Sequence, residues 1–233
     1  MRAIDTVTGD AVTIPVEPDA QMFAVFSLAI TPDGSFLYVP NQHGDTISVI
    51  DTQSQKVVAT LPTERPVSVA FAPDGKTAYA TAHVPTGYVN VIDTAAKAVV
   101  KTVPVEPLPL SIAVSPDGGT AYTWHSRPGT ITPIDTQTNT AGPAFPADAP
   151  PMSRSISLAV SPDGKTIYAA GFTSGGVTPF DAKTHAMGSL IPVSAGLTGI
   201  AITPDGKTAY VVDERMGGNT VTPVDLTEHA AGT

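Results

Sequence analysis

The sequence predicts an all-β fold: a β-propeller built from four-stranded antiparallel blades. Three observations predict it. The tripeptide Pro-Asp-Gly occurs five times, with its Asp at Asp33, Asp74, Asp117, Asp163 and Asp205, at intervals of 41, 43, 46 and 42 residues. A tyrosine follows each Gly by four residues (Tyr38, Tyr79, Tyr122, Tyr168, Tyr210), and an apolar residue followed by Asp then closes each copy at Asp51, Asp93, Asp135, Asp181 and Asp225. The composition agrees: Gly and Pro make up 43 of the 233 residues and charged residues only 14%, which suits many short strands and turns better than surface helices. Repeats of about 40–45 residues with four strands each are propeller blades.

The elements follow in order. Residues 1–16 supply a partial C strand (Arg2 to Ile4) and a D strand (about Asp10 to Ile14), with Ile4-Asp5 as a sixth copy of the apolar-Asp marker. Repeats then run over about 24–62, 67–104, 110–146, 156–192 and 198–233, together one domain over 1–233. In the second repeat, Val67, Val69 and Phe71 alternate with small residues, the period of strand A. Pro73-Asp74-Gly75 makes a tight turn, because Pro fixes φ, Asp bonds the backbone and Gly accepts positive φ. Strand B covers about Thr77 to Ala82, strand C about Tyr88 to Ile92 and strand D about Ala98 to Val103. Pro104 ends strand D, as Pro15, Pro62, Pro146 and Pro192 do in the other copies. Pro133, Pro179 and Pro223 sit inside C strands, where a donor is lost, so weakened C–D pairing is expected there.

The run Ile200 to Val212 (Ile-Ala-Ile-Thr-Pro-Asp-Gly-Lys-Thr-Ala-Tyr-Val-Val), with Thr220-Val-Thr-Pro-Val-Asp225 and Thr46-Ile-Ser-Val-Ile-Asp-Thr52, resembles the YVTN-type repeat of YncE-like β-propellers. The resemblance spans essentially the whole chain. It implies the fold far more than the function, since related propellers include lactonases, lyases, dehydrogenase subunits and proteins with no known activity. Relatives usually have seven blades, about 295 residues at 42 per repeat. Here there are five A-B-C sets, and the expectation is a five-bladed ring whose N-terminal strand pairs with the last C strand and hides its edge. The alternative is a fragment of a six- or seven-bladed ring.

Spacing separates the two faces of such a ring. Gly to Tyr across the A–B turn is always 4, and marker Asp to the first inward D residue is always 6. Across the D–A connection the marker intervals are 28, 23, 24, 28 and 24, and across B–C they are 13, 14, 13, 13 and 15. All length variation falls on the D–A and B–C side, where binding or catalysis on a rigid scaffold is expected.

Three of five histidines lie in B–C loops of consecutive repeats: His43, His83 and His125. Converging neutral imidazoles would bind a divalent metal ion and leave a position for water, with Asp45 or Asp213 completing the shell. Their offsets from the repeat tyrosine are 5, 4 and 3, which is not a strict register. The long D–A loops carry Met22, Phe23 and Phe26, and Asp148, Met152 and Arg154. Arg127, Arg154 and Arg215 are candidates for holding an organic anion, with Glu214 as a neighbouring acid. Trp124, two residues after Tyr122, offers a stacking face or an inter-blade core residue.

The net charge of −9 and the lack of any basic stripe argue against nucleic acid as a partner. No cysteine is present, which excludes disulfides and thiolate chemistry. No apolar stretch has membrane-spanning length, and Met-Arg-Ala-Ile-Asp lacks a signal-peptide core, so the expectation is a cytoplasmic or a processed exported protein, monomeric. Neither a Gly-x-Ser-x-Gly elbow nor a P-loop occurs. The functional expectation is a propeller binding a small molecule or protein on the variable face. The alternatives are a metal-assisted lyase or lactone hydrolase using the three histidines, and a structural or assembly module.

Overall fold

The computed structural model describes residues 1–4, 6–16, 27–147, 156–171, 173–214, 220–228 and 230–231. Among them every regular element is a strand, and no helix is long and apolar enough to cross a membrane. An N-terminal hairpin comprises β1 (Arg2–Ile4) and β2 (Ala11–Thr13). The first sheet holds β3 (Ala29–Ile30), β4 (Phe36–Asn41), β5 (Thr46–Asp51) and β6 (Lys56–Pro62). The second holds β7 (Pro66–Phe71), β8 (Thr77–Ala82), β9 (Tyr88–Asp93) and β10 (Ala98–Pro104). The third holds β11 (Pro109–Val114), β12 (Thr120–His125), β13 (Thr130–Asp135) and a fourth strand in two pieces, β14 (Thr140–Ala141) and β15 (Phe145–Pro146). The fourth holds β16 (Ile156–Val160), β17 (Thr166–Gly171), β18 (Gly176–Asp181) and β19 (Ile191–Pro192). The fifth holds β20 (Leu197–Ile202), β21 (Thr208–Asp213), β22 (Thr220–Asp225) and β23 (Ala230–Ala231). Each is an antiparallel A-B-C-D meander, and the arrangement is propeller-like.

The repeat markers build these sheets. In the third sheet, Ser115 Oγ donates to Asp117 Oδ1 at 2.5 Å, and the backbone N–H of Gly119 donates to the same oxygen at 2.9 Å. Gly118 takes φ +74°, a region closed to most side chains. The same bonds recur at Asp33, Asp163 and Asp205, with Thr31, Ser161 and Thr203 as hydroxyl donors. At the other turn, each marker Asp accepts the N–H three residues on: Ser54, Ala96, Thr138, Thr184 and Glu228. Thr52, Thr94 and Thr136 then donate to the carbonyls of Gly34, Gly75 and Gly118, lacing the C–D turn to the A–B turn of the same sheet.

The C-strand prolines act as the sequence predicts. Where position four of strand C is Val49 or Val91, the D strand is continuous over seven residues, as in β6 and β10. Opposite Pro133 and Pro179 it breaks into short pieces. Only the proline carbonyls remain to pair, accepting from Gly142 and Gly188 at 2.8 Å.

Apolar side chains alternate along each strand, so every sheet has two faces, and adjacent sheets meet face to face. Tyr38, Ile47 and Val49 of the first sheet pack on Val69, Ala78, Ala80 and Ile92 of the second. Tyr79, Val89 and Val91 pack on Ile112, Ala121 and Ile134 of the third. Tyr122, Trp124 and Ile131 pack on Leu158, Ile167, Ala169 and Phe180 of the fourth. Tyr168, Ala170 and Val177 pack on Ala209, Val211 and Val224 of the fifth. Fully burying such a side chain stabilises the fold by roughly 1.5–3 kcal/mol, so these four seams carry much of the stability.

One expectation is corrected. The N-terminal strand does not pair with the last C strand: β1 pairs with β2, from Arg2↔Thr13 to Ile4↔Ala11, and the place beside β22 is taken by β23. The hairpin instead packs on the first sheet, through Ile14 against Val39 and Ile50. Ser48 Oγ donates to the Val16 carbonyl at 2.9 Å. A strand of three residues finds its partner across a short local turn before it finds one two hundred residues away, because closing the smaller loop costs less entropy.

Candidate functional site

The B–C and D–A connections lie at one end of the sheets. Among the described residues they vary as the spacing predicts. The fully described B–C loops span 42–45, 83–87 and 126–129, and the D–A loops that follow sheets one, two and four span 63–65, 105–108 and 193–196. They are tied to each other at fixed points. Asp45 Oδ1 accepts the backbone N–H of Arg65 at 2.8 Å, and Asp213 Oδ2 accepts Ser194 Oγ at 2.8 Å. Tyr88 donates its hydroxyl to Glu64 at 3.0 Å, and burial followed by this bond pushes the phenol up to about 12. Gly87 lies so close to the 105–108 loop that a Cβ there would fall 2.1 Å from the Glu106 carbonyl oxygen.

The histidines are placed very differently from one another. His43 is exposed in its turn, His83 is half-buried just past β8, and His125 ends β12 with 0% exposure. Among the described residues no three His, Asp or Glu side chains are gathered to hold a metal ion, so the expected His43–His83–His125 site does not assemble. His125 alternates with Tyr122 and so shares the side of Ala121, which faces the second sheet. Asp45 and Asp213, the expected supplementary ligands, are engaged with Arg65 and Ser194.

Trp124 is fully buried in the seam between the third and fourth sheets, which leaves no ring face for a surface ligand. Arg127 and Glu214 are exposed at the loop surface. Arg154 and Arg215 lie outside the described residues, as do Met22, Phe23, Phe26, Asp148 and Met152.

The structure also buries a set of polar side-chain atoms. Both ring nitrogens of His125, Nδ1 of His83, Nε1 of Trp124, Nδ2 of Asn90 and the hydroxyls of Thr63, Thr130 and Thr132 are buried without a hydrogen-bond partner. Thr130 sits directly across from His125 in the β12–β13 register, and Thr132 shares its side of the sheet. Burial drives the His125 imidazole down to about 4, against a contact with the Glu106 backbone that falls outside hydrogen-bond geometry, and burial followed by Arg65 lowers His83. Both are therefore neutral at physiological pH, each with one nitrogen to donate and one to accept. Leaving a buried donor or acceptor unpaired costs about 1–3 kcal/mol, so His125, Thr130 and Thr132 on one side of the third sheet are unusual for a merely structural region.

The sequence reading did not single out Asn90, Thr130 or Thr132. A signal was present: strand C carries Ser48, Asn90, Thr132, Thr178 and Thr222 at one repeat position, a polar column inside otherwise apolar strands.

No family model matches the chain, and no curated relative matches it. Among solved structures the chain is similar to hydrazine synthase of Kuenenia stuttgartiensis, at 27% identity and a TM-score of 0.71. The match covers 86% of this chain and 66% of that one.

Proposed function

We propose that the protein is a binding module, a propeller of YVTN-type repeats that takes a small neutral polar ligand at the B–C and D–A loop end. One observation carries this reading: the described buried side-chain polar atoms without partners lie on the loops or on the B and C strands, and His125, Thr130 and Thr132 among them share one side of the third sheet. At the opposite end the repeat hydroxyls and carboxylates bond one another. Neutral imidazoles and threonine hydroxyls offer donors and acceptors without charge, which favours an uncharged polar ligand over an anion or a cation. The exposed Arg127 stands at the loop surface, at the rim of this region. The likeness to hydrazine synthase supports the propeller reading, and nothing of that enzyme's chemistry is carried across. The metal-assisted lyase or hydrolase reading has no observation in its favour, because its three histidines are not gathered.

The test uses the single tryptophan, Trp124, as an intrinsic reporter beside His125. Neutral polar fragments (amides, diols, small sugars) are titrated while Trp124 emission and the thermal midpoint are followed. The expected result is a saturable response from a subset of fragments that His125→Phe abolishes. A flat response from every fragment, or one that His125→Phe leaves unchanged, refutes the reading.

A further inference from the structure

Four of the five A–B turns carry a hydroxyl that joins two other polar groups. In the first, the Phe36 backbone N–H donates to Thr31 Oγ1 at 3.0 Å, and that hydroxyl donates to Asp33 Oδ1 at 2.6 Å. Ser115, Ser161 and Thr203 do the same in the third, fourth and fifth turns. They accept from the N–H of Thr120, Thr166 and Thr208 and donate to Asp117, Asp163 and Asp205. A hydroxyl suits this place because it accepts and donates at one atom, and so links an N–H to a carboxylate.

The second turn departs from the pattern, because Ala72 stands where the others have Thr or Ser. The Ala72 N–H still donates to the Thr77 carbonyl at 2.8 Å. In a strand the N–H and C=O of one residue point to the same side, so the Thr77 N–H faces Ala72 and meets a methyl group. Asp74 keeps the Lys76 N–H at 3.0 Å and, among the described residues, has no hydroxyl donor.

A cavity opens at this place. It measures about 320 Å³ and lies between the second and third turns, with Ala72, Asp74, Thr77, Tyr79, Asp117 and Thr136 in its wall. A second cavity, of about 310 Å³, lies between the first and second turns, and Asp74 lines both. The carboxylate that lacks its hydroxyl thus stands where two cavities of small-molecule size adjoin.

We propose that the second A–B turn binds an uncharged polyhydroxyl compound, a polyol or a sugar. One of its hydroxyls takes the bridging role beside the Ala72 methyl, accepting from the Thr77 N–H and donating to Asp74. The chemistry of the gap selects this class. A carboxylate or phosphate ligand only accepts, and Asp74 and Asp117 repel it. An ammonium group only donates, and leaves the Thr77 N–H unmet. A hydroxyl does both. A water molecule does both as well, but it takes up about 30 Å³ of a cavity of about 320 Å³. Asp117 makes both of its turn bonds through Oδ1, which leaves Oδ2 to accept from a further ligand hydroxyl. The site is at the opposite end of the sheets from the loop-end region and does not depend on that reading.

The experiment titrates the whole protein with erythritol and with D-glucose by calorimetry, beside Ala72→Ser, Asp74→Asn and His125→Phe. Saturable binding of at least one probe is expected. Ala72→Ser rebuilds the hydroxyl of the other turns within the chain, so it should raise the thermal midpoint of the ligand-free protein and weaken binding about tenfold or more. Asp74→Asn removes a charge-assisted acceptor at an exposed position and should weaken binding in the same direction. His125→Phe should leave this binding unchanged. Saturation by neither probe overturns the proposal and leaves solvent water as the bridge. Binding that Ala72→Ser or Asp74→Asn leaves untouched, or that His125→Phe abolishes, overturns it as well. Ala72→Ser silences the turn site alone, so the loop-end fragment titration repeated in that variant reads the other end independently.

Discussion

At the turn end of the molecule, every A–B turn is five residues long (31–35, 72–76, 115–119, 161–165, 203–207), and in four of the five a hydroxyl bonds the turn Asp. At the loop end, the fully described B–C connections run from four to five residues, and the buried side chains beneath include a histidine whose ring nitrogens make no hydrogen bond. Both ends join the same strands of the same sheets. The difference teaches where sequence is committed to the fold and where it is free. A turn that satisfies its own polar groups needs nothing further. A region that leaves donors and acceptors unpaired gives up stability, as natural proteins do at functional sites.

The largest effect should come from the point where the loop end is pinned. Gly87→Ala places a methyl against the Glu106 backbone carbonyl at a φ of +51°, and neither atom can swing aside. A loss of about 3 kcal/mol in denaturant unfolding is expected. A loss below about 1 kcal/mol would mean that the two loops move apart freely, and the pinning described above would be wrong. Next is the turn end. Asp117→Ala removes the acceptor for Ser115 and Gly119 at an exposed site, and about 1 kcal/mol should be lost.

His125→Phe should act in the opposite direction. It replaces a buried ring with two unpartnered nitrogens by an apolar ring of similar shape, and the ligand-free protein should gain about 1 kcal/mol. Destabilisation instead would show that the nitrogens are already satisfied by bound water, and would erase the contrast between the ends.

The dependence of the thermal midpoint on pH separates the two ends on one axis. His125 has a folded pKa near 4, below the ordinary 6.5, so the unfolded chain binds the extra proton first. Stability should therefore fall as pH drops from about 6.5 to about 4, with His83 acting in the same direction. The turn aspartates are shifted the other way. Hydroxyl and backbone donors hold Asp117, Asp163 and Asp205 below 3.8, so their contribution is present above that value and is lost only as pH falls through their folded range. Midpoints measured across this range should show two steps, and His125→Phe should diminish the upper one alone.

The sheets were legible because their boundaries are local chemistry. Pro-Asp-Gly and the marker Asp end strands through bonds to atoms two or three residues away, and a short window of sequence contains all of them. Pro133 and Pro179 foretold the broken D strands for the same reason. Two readings failed where the answer is set across seams. The three histidines share a loop class, yet offsets of 5, 4 and 3 from the tyrosine send them to an exposed turn, a half-buried position and a buried strand end. The pairing of β1 was likewise open, since its apolar pattern suits either β2 or a distant strand, and only the proximity of β2 decides. Trp124 was ambiguous on position alone, and the packing of the fourth sheet against it resolved the choice in favour of core.

The turns also touch across the seams. A Cβ on Gly75 would sit 3.3 Å from the ring of Pro32, and Gly118 meets Pro73, Gly164 meets Pro116 and Gly206 meets Pro162 in the same way. Each tripeptide thus carries a tab for the following unit, its proline, and a slot for the preceding one, its glycine. A whole unit of 41 to 46 residues can then be duplicated or deleted in the gene and still find a matching fastener on both sides. Such a chain can grow or shrink by entire sheets without redesign of any junction.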